Sequence, residues 1–73
     1  MRFNTIDVKK RMLDCGINSF KELSERSGIS YPTIKKTFDN KGIPTIGTLE
    51  KLAIALGVPK KEISSFFFTY ELT

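Results

Sequence analysis

Apolar residues recur at helical spacing in five stretches of this chain, each bounded by residues that start or stop helices. The first opens at Thr5 or Asn4, either of which can cap it, and runs to about Asp14, with Asp7 near its positive end. Val8, Met12 and Cys15 share one face, with Ile6 and Leu13 beside it, while Lys9, Lys10 and Arg11 are expected mostly in solvent. Gly16 ends this helix. Ser19 followed by Glu22 is a Ser-x-x-Glu capping box, which starts a second helix over about Phe20–Ser27. Gly28 stands where that helix must end in a left-handed residue, a conformation glycine adopts without a Cβ penalty. A third helix is expected over about Tyr31–Phe38. Pro32 fits only in its first turn and disfavours helical angles at Tyr31, so the cap is Ser30 or Tyr31.

Asp39–Pro44 reads as a loop, with Asn40 and Gly42 able to take left-handed positions. Thr45 caps a fourth helix in which Ile46, Leu49, Leu52, Ala53 and Leu56 recur before Gly57 stops it. Pro59 begins a short fifth helix to about Phe66, expected to bury Ile63 and one or two phenylalanines. The tail then changes period. Phe66, Phe68, Tyr70 and Leu72 alternate with Phe67, Thr69 and Glu71, which predicts a short C-terminal strand within 67–73. A lone strand needs a cover. Either Met1–Thr5 or the same strand of a second subunit can provide it, and the second is favoured here because two-fold symmetry suits a dimer. Leu23, Ile29, Ile34, Leu49, Leu52, Leu56 and Ile63 are expected to form the core. The fold class is therefore an all-α five-helix bundle with a short terminal strand, a single domain over 1–73.

The segment 19–38 carries the layout of a helix-turn-helix. Ile34 lies eleven residues beyond Leu23 and can face it across the glycine turn. In that arrangement the second helix of the pair is presented to the DNA major groove. Composition changes the picture in one direction. Twelve Lys and Arg against eight Asp and Glu give a net charge of +4, which favours a polyanionic partner. With no histidine and one cysteine, Cys15, neither a metal cluster nor His-activated catalysis nor an internal disulfide is expected. Cys15 should pack as a small hydrophobe. No cofactor and no enzymatic activity are expected. No stretch reaches the roughly 20 apolar residues of a membrane span, and the N-terminus lacks the apolar run of a secretory signal. A cytoplasmic protein is the expectation.

Leu23-Ser24-x-x-Ser27-Gly28-Ile29-Ser30, Ile34, Pro44, Thr48-Leu49, Leu52-Ala53 and Ala55-Leu56-Gly57-Val58 resemble the lambdoid phage repressor/Cro-like (XRE-like) helix-turn-helix family. The resemblance covers about Val8–Phe66. It implies a five-helix bundle that regulates transcription, usually as a dimer on a palindromic operator. Phage repressors, restriction controllers, antitoxins and mobile-element regulators all use it. Three positions depart from the pattern. Ser24 replaces a frequent alanine, and Phe20 stands where many relatives carry a glutamine that reaches a phosphate. Phe38 replaces a frequent glutamate whose arginine partner would fall near Met12 or Leu13, so an apolar contact is expected instead of an ion pair.

On this helix-turn-helix, Tyr31, Pro32, Lys35 and Lys36 are the candidate base contacts. Lysine can donate to guanine O6 and N7, while Tyr31 and Pro32 can pack on a thymine methyl or a sugar. The candidate phosphate contacts are Ser19, Phe20 and Lys21 at the start of the second helix, Thr33 near the strand, and Asn40, Lys41 and Thr45 beyond the third helix. The leading expectation is a sequence-specific repressor that occludes a promoter, bound as a homodimer through residues 66–73 to palindromic double-stranded DNA. The alternatives are a protein-interaction module such as an antitoxin or adaptor, and an architectural factor of a mobile element.

Overall fold

The computed structural model describes residues 2–69. In chain order the elements are β1 (Arg2–Phe3), α1 (Thr5–Asp14), α2 (Phe20–Ser27), α3 (Tyr31–Phe38), α4 (Ile46–Leu56), a 3-10 turn (Lys60–Glu62) leading into α5 (Ile63–Phe67), and β2 (Phe68–Thr69). Asn4 is the cap of α1. Its Oδ1 accepts from the Asp7 N–H at 3.5 Å, and its Nδ2 donates to the Asp7 carboxylate at 2.9 Å. At α2 the Glu22 N–H donates to Ser19 Oγ at 3.1 Å. The Glu22 carboxylate reaches back one residue further than a capping box requires and accepts from the Asn18 N–H at 3.4 Å.

Ser30, not Tyr31, caps α3. The Ile34 N–H already donates to the Ser30 carbonyl at 3.1 Å, which requires Tyr31 to be inside the first turn. The Ser30 hydroxyl shares a 2.8 Å bond with Thr33 Oγ1 and makes no cap bond to the backbone. Thr45 caps α4, its Oγ1 accepting from the Thr48 N–H at 3.2 Å. That helix closes at Gly57 (φ 68°) with the Val58 N–H on the Ala53 carbonyl at 2.8 Å, the six-to-one bond of a Schellman ending.

Val8, Ile17, Leu23, Ile34, Leu52, Leu56 and Phe67 are wholly buried and form one core with Phe3, Met12, Ile29, Phe38, Leu49, Ala53 and Val58. Each large member contributes about 1.5–3 kcal/mol by leaving water. Three residues expected on or beside apolar faces are instead in solvent: Ile6 at 70%, Leu13 at 64% and Ile46 at 71% exposure. At roughly 100° per residue, Ile6 lies about 200° from Val8 and Leu13 about 100° past Met12, so neither shares the buried stripe. Ile46 continues the α4 face but lies in a first turn that none of the described residues covers. Ile63 is only half-buried.

Arg11 also departs from expectation. Rather than extending into solvent, it donates Nε to the Leu56 carbonyl at 2.9 Å and Nη2 to the Gly57 carbonyl at 3.0 Å. A guanidinium there meets the negative end of α4 and satisfies carbonyls that the helix leaves open. Cys15 packs against the core, half-buried, with Sγ 3.5 Å from the same Leu56 carbonyl.

The strand begins at Phe68, because Phe67 still belongs to α5 and is the most buried of the run. Its cover is the chain's own N-terminal segment. β1 and β2 pair antiparallel, Arg2 opposite Thr69 and Phe3 opposite Phe68. The Asn4 N–H donates to the Phe67 carbonyl at 2.7 Å, and Asn4 Nδ2 to the Phe66 carbonyl at 3.2 Å. Met1 and the alternating Tyr70–Thr73 lie outside the described residues.

Candidate nucleic-acid interface

The turn between α2 and α3 is built from small side chains that bond across it. Gly28 takes φ 76°, and its N–H donates to the Ser24 carbonyl at 2.9 Å. Ser24 Oγ donates to the Ile29 carbonyl at 2.5 Å, a bond that alanine at this position has no atom to make. Ser27 Oγ donates to the Leu23 carbonyl at 2.6 Å and accepts from the Ile29 N–H at 3.2 Å. Leu23 and Ile34 are both wholly buried, so they anchor the inner faces of the two helices. Thr37, the one buried polar residue of α3, is satisfied by donating to the Thr33 carbonyl at 2.9 Å.

The outer face of α3 is thereby fixed. Tyr31, Pro32 and Lys36 are exposed. Lys35 is half-buried and turned toward its neighbours: its Nζ lies 3.8 Å from Asp39 and 5.5 Å from the Phe20 ring centroid. Thr33, Lys36, Lys41 and Thr45 line one open notch of about 180 Å³ beside the helix, together with Thr37, Thr48 and the loop residues Gly42, Ile43 and Pro44. Four of the residues expected to meet DNA are thus gathered on one concave surface. Thr33 and Thr45 spend hydroxyl capacity locally, on Ser30 and on Thr48.

Ser19, Phe20 and Lys21 stand apart from that notch, at the start of α2. Ser19 and Lys21 are exposed; Phe20 is half-buried, its ring 4.6 Å from that of Phe38. Asn40 has positive φ (57°), and its Oδ1 accepts from the Phe3 N–H at 2.8 Å. Its side chain therefore ties the loop to β1, a use that its place in a loop did not signal. Phe38 and Met12 are both buried where relatives are expected to keep an ion pair, while Leu13 faces outward. The ring of Phe38 packs between Phe20 and Phe3, 5.1 Å from the latter.

Among the described residues no group of acidic, histidine and cysteine side chains is placed to hold a metal ion, and no helix is long and apolar enough to cross a membrane. A tight turn locked between two short helices, with the second helix's polar face free, defines a helix-turn-helix DNA-binding domain. Residues 8–63 match the helix-turn-helix family model HTH_3, and the chain belongs to this XRE-like, Cro/C1-type family of DNA-binding regulators. Curated proteins and solved structures give no match.

Proposed function

We propose that this chain is a sequence-specific transcriptional repressor that acts by occluding a promoter, as a homodimer on a palindromic operator. The observation that carries the reading is the free outer face of α3, where Tyr31, Pro32 and Lys36 are exposed beside the notch holding Lys41. In this reading Tyr31, Pro32 and Lys36, with Lys35 at their edge, meet base edges in the major groove. Ser19, Phe20, Lys21, Thr33, Asn40, Lys41 and Thr45 hold the phosphates on either side. A two-stranded sheet leaves β2 an outer edge, on which the tail of a second copy can pair. Such a two-fold arrangement sets recognition helices about 34 Å apart.

The test is a gel-shift with the DNA flanking the protein's own gene, over a salt series, with sedimentation on the same samples. Retention of one segment over mixed competitor, with a dimer bound, supports the reading. Equal binding to all duplexes refutes sequence-specific repression. A second reading, an adaptor or antitoxin that binds a partner protein, draws on Ile6 and Leu13, which are seven residues apart on one side of α1 and exposed. Binding only to a co-encoded protein would favour it.

A further inference from the structure

α3 closes on a Schellman motif with an asparagine, not a glycine, at its left-handed position. The Asn40 N–H donates to the Thr37 carbonyl at 3.2 Å and the Lys41 N–H to the Lys36 carbonyl at 2.9 Å, with Asn40 at φ 57°. The second of these bonds joins the backbones of Lys36 and Lys41, the two lysines of the notch beside α3. The N-terminal segment holds this turn at three points. The Phe3 N–H donates to Asn40 Oδ1 at 2.8 Å, Thr5 Oγ1 donates to the Phe38 carbonyl at 3.1 Å, and the Phe3 ring packs 5.1 Å from that of Phe38. Lys41 stands between two residues of positive φ, Asn40 and Gly42, the latter at 155°. Gly42, Ile43 and Pro44 border the notch and also a hollow of about 150 Å³ lined by Phe3, Asn40 and Phe68. One short loop is therefore common to the lysine notch and to the paired chain ends.

We propose that Asn40 is a positioning residue: its bond to the Phe3 N–H, rather than a contact of its own with DNA, sets where Lys41 stands relative to Lys36. This rests on the DNA-binding reading above, and the share given there to Asn40 at the phosphates is exercised through Lys41. Asparagine suits the task for two reasons. Its short amide tolerates a left-handed backbone. Its side-chain oxygen also meets an N–H that glycine, the commoner residue at such a position, has no atom to reach. A lysine on a loop pinned in this way loses less freedom when it meets a phosphate, so part of the ordering cost of binding is already met by folding. The donor belongs to β1, which β2 holds in place. The pairing of the chain ends thus extends, through Asn40, to the face that α3 presents.

The experiment is a titration of a fluorescein-labelled mixed-sequence duplex by the full chain, followed by anisotropy from about 50 to 200 mM salt. Lys41→Ala sets the reference, with the slope of log affinity against log salt reduced by about 0.9, the value of one lost phosphate contact. Asn40→Gly keeps the left-handed turn without a Cβ penalty and removes the acceptor. It should weaken binding several-fold and bring the slope close to that of Lys41→Ala, and adding Lys41→Ala to it should cost little more. A merely structural role moves the thermal midpoint and not the slope, as expected of Val58→Ala, a buried residue that lines a different hollow. A second variant removes the donor: full-length protein made by chemical synthesis with an ester in place of the Arg2–Phe3 amide, every side chain unchanged. It should bind as Asn40→Gly does. Binding unchanged in the ester but weakened in Asn40→Gly means that Asn40 itself meets DNA. That result, full additivity of Asn40→Gly with Lys41→Ala, or a wild-type slope in either of these two variants overturns the positioning role while leaving DNA binding standing. Wild-type protein that binds no duplex at any salt overturns both.

Discussion

Phe38→Ala removes a ring that is 5% exposed and held between Phe3 at 5.1 Å and Phe20 at 4.6 Å. Truncating a buried phenylalanine costs about 3–5 kcal/mol, as lost transfer energy plus the cavity left behind. Each aromatic pair adds about 0.5–1.5 kcal/mol beyond its area, which places this site in the upper part of that range. A domain of 73 residues has roughly 4–11 kcal/mol to lose. The variant should therefore be close to unfolded at room temperature, with a midpoint lowered by about 15–30 °C. Phe38→Glu should be no better, because a carboxylate there meets the rings of Phe3 and Phe20 in the buried core. The guanidinium of Arg11 is committed to the Leu56 and Gly57 carbonyls. Thermal and urea melts followed by far-ultraviolet circular dichroism measure both variants. A Phe38→Glu protein that melts with wild type, or a loss below about 1 kcal/mol in Phe38→Ala, would mean that no stabilising aromatic cluster stands in for an ion pair here.

Lys36→Ala should weaken operator binding by about 1–3 kcal/mol and relax the preference at one base pair, read by competition with single-base operator variants. Lys41→Ala should instead weaken specific and non-specific duplexes alike and flatten the salt dependence; a base-selective loss would contradict a phosphate role. Arg11→Ala should lower stability by about 1–3 kcal/mol, since two charge-assisted bonds to the end of α4 are lost, and Arg11→Lys should recover part of it. A urea midpoint unmoved in Arg11→Ala would show those bonds to be energetically idle. Truncation after Phe67 removes the partner of β1 and should lower the thermal midpoint; in sedimentation it should also lower the mass if the tail joins two copies, and an unchanged mass speaks against tail-mediated dimers.

The helix starts and stops were legible because each depends on one or two residues of special chemistry: Ser19 with Glu22, Gly28, Thr45, Gly57. Local bonds decide them, so sequence order suffices. What misled was the far side of each helix. Ile6, Leu13 and Ile46 are apolar yet exposed, and apolar identity says nothing about whether another element lies overhead. Arg11 looked like one more solvated lysine-type position, because its partners are carbonyls more than forty residues away. The same distance hid Asn40, whose left-handed backbone was anticipated but whose bond to Phe3 depends on where the N-terminus returns. Pro32 biases Tyr31 away from helical angles, but the Ile34 N–H bond to the Ser30 carbonyl outweighs that bias and draws Tyr31 into the first turn. At the interface, the face of α3 followed from periodicity, whereas the turning of Lys35 onto Phe20 required the rotamers of a neighbouring helix.

The pairing of β1 with β2 has a consequence for the order in which this protein assembles. α2 and α3 meet across a three-residue turn, so their contacts close a short loop at little entropic cost. Asn4 joins Phe66 across 62 residues, and closing a loop of that length costs about 3–4 kcal/mol of chain entropy before any contact repays it. The clasp between the two ends is therefore the last part to form and the first to open, while the helix-turn-helix forms early. Opening is not silent, because Phe3 covers Phe38 and its N–H holds Asn40, so fraying at the ends uncovers the last residue of the recognition helix. In amide exchange, the Phe3 and Asn4 amides should lose protection together and ahead of Leu23 and Ile34.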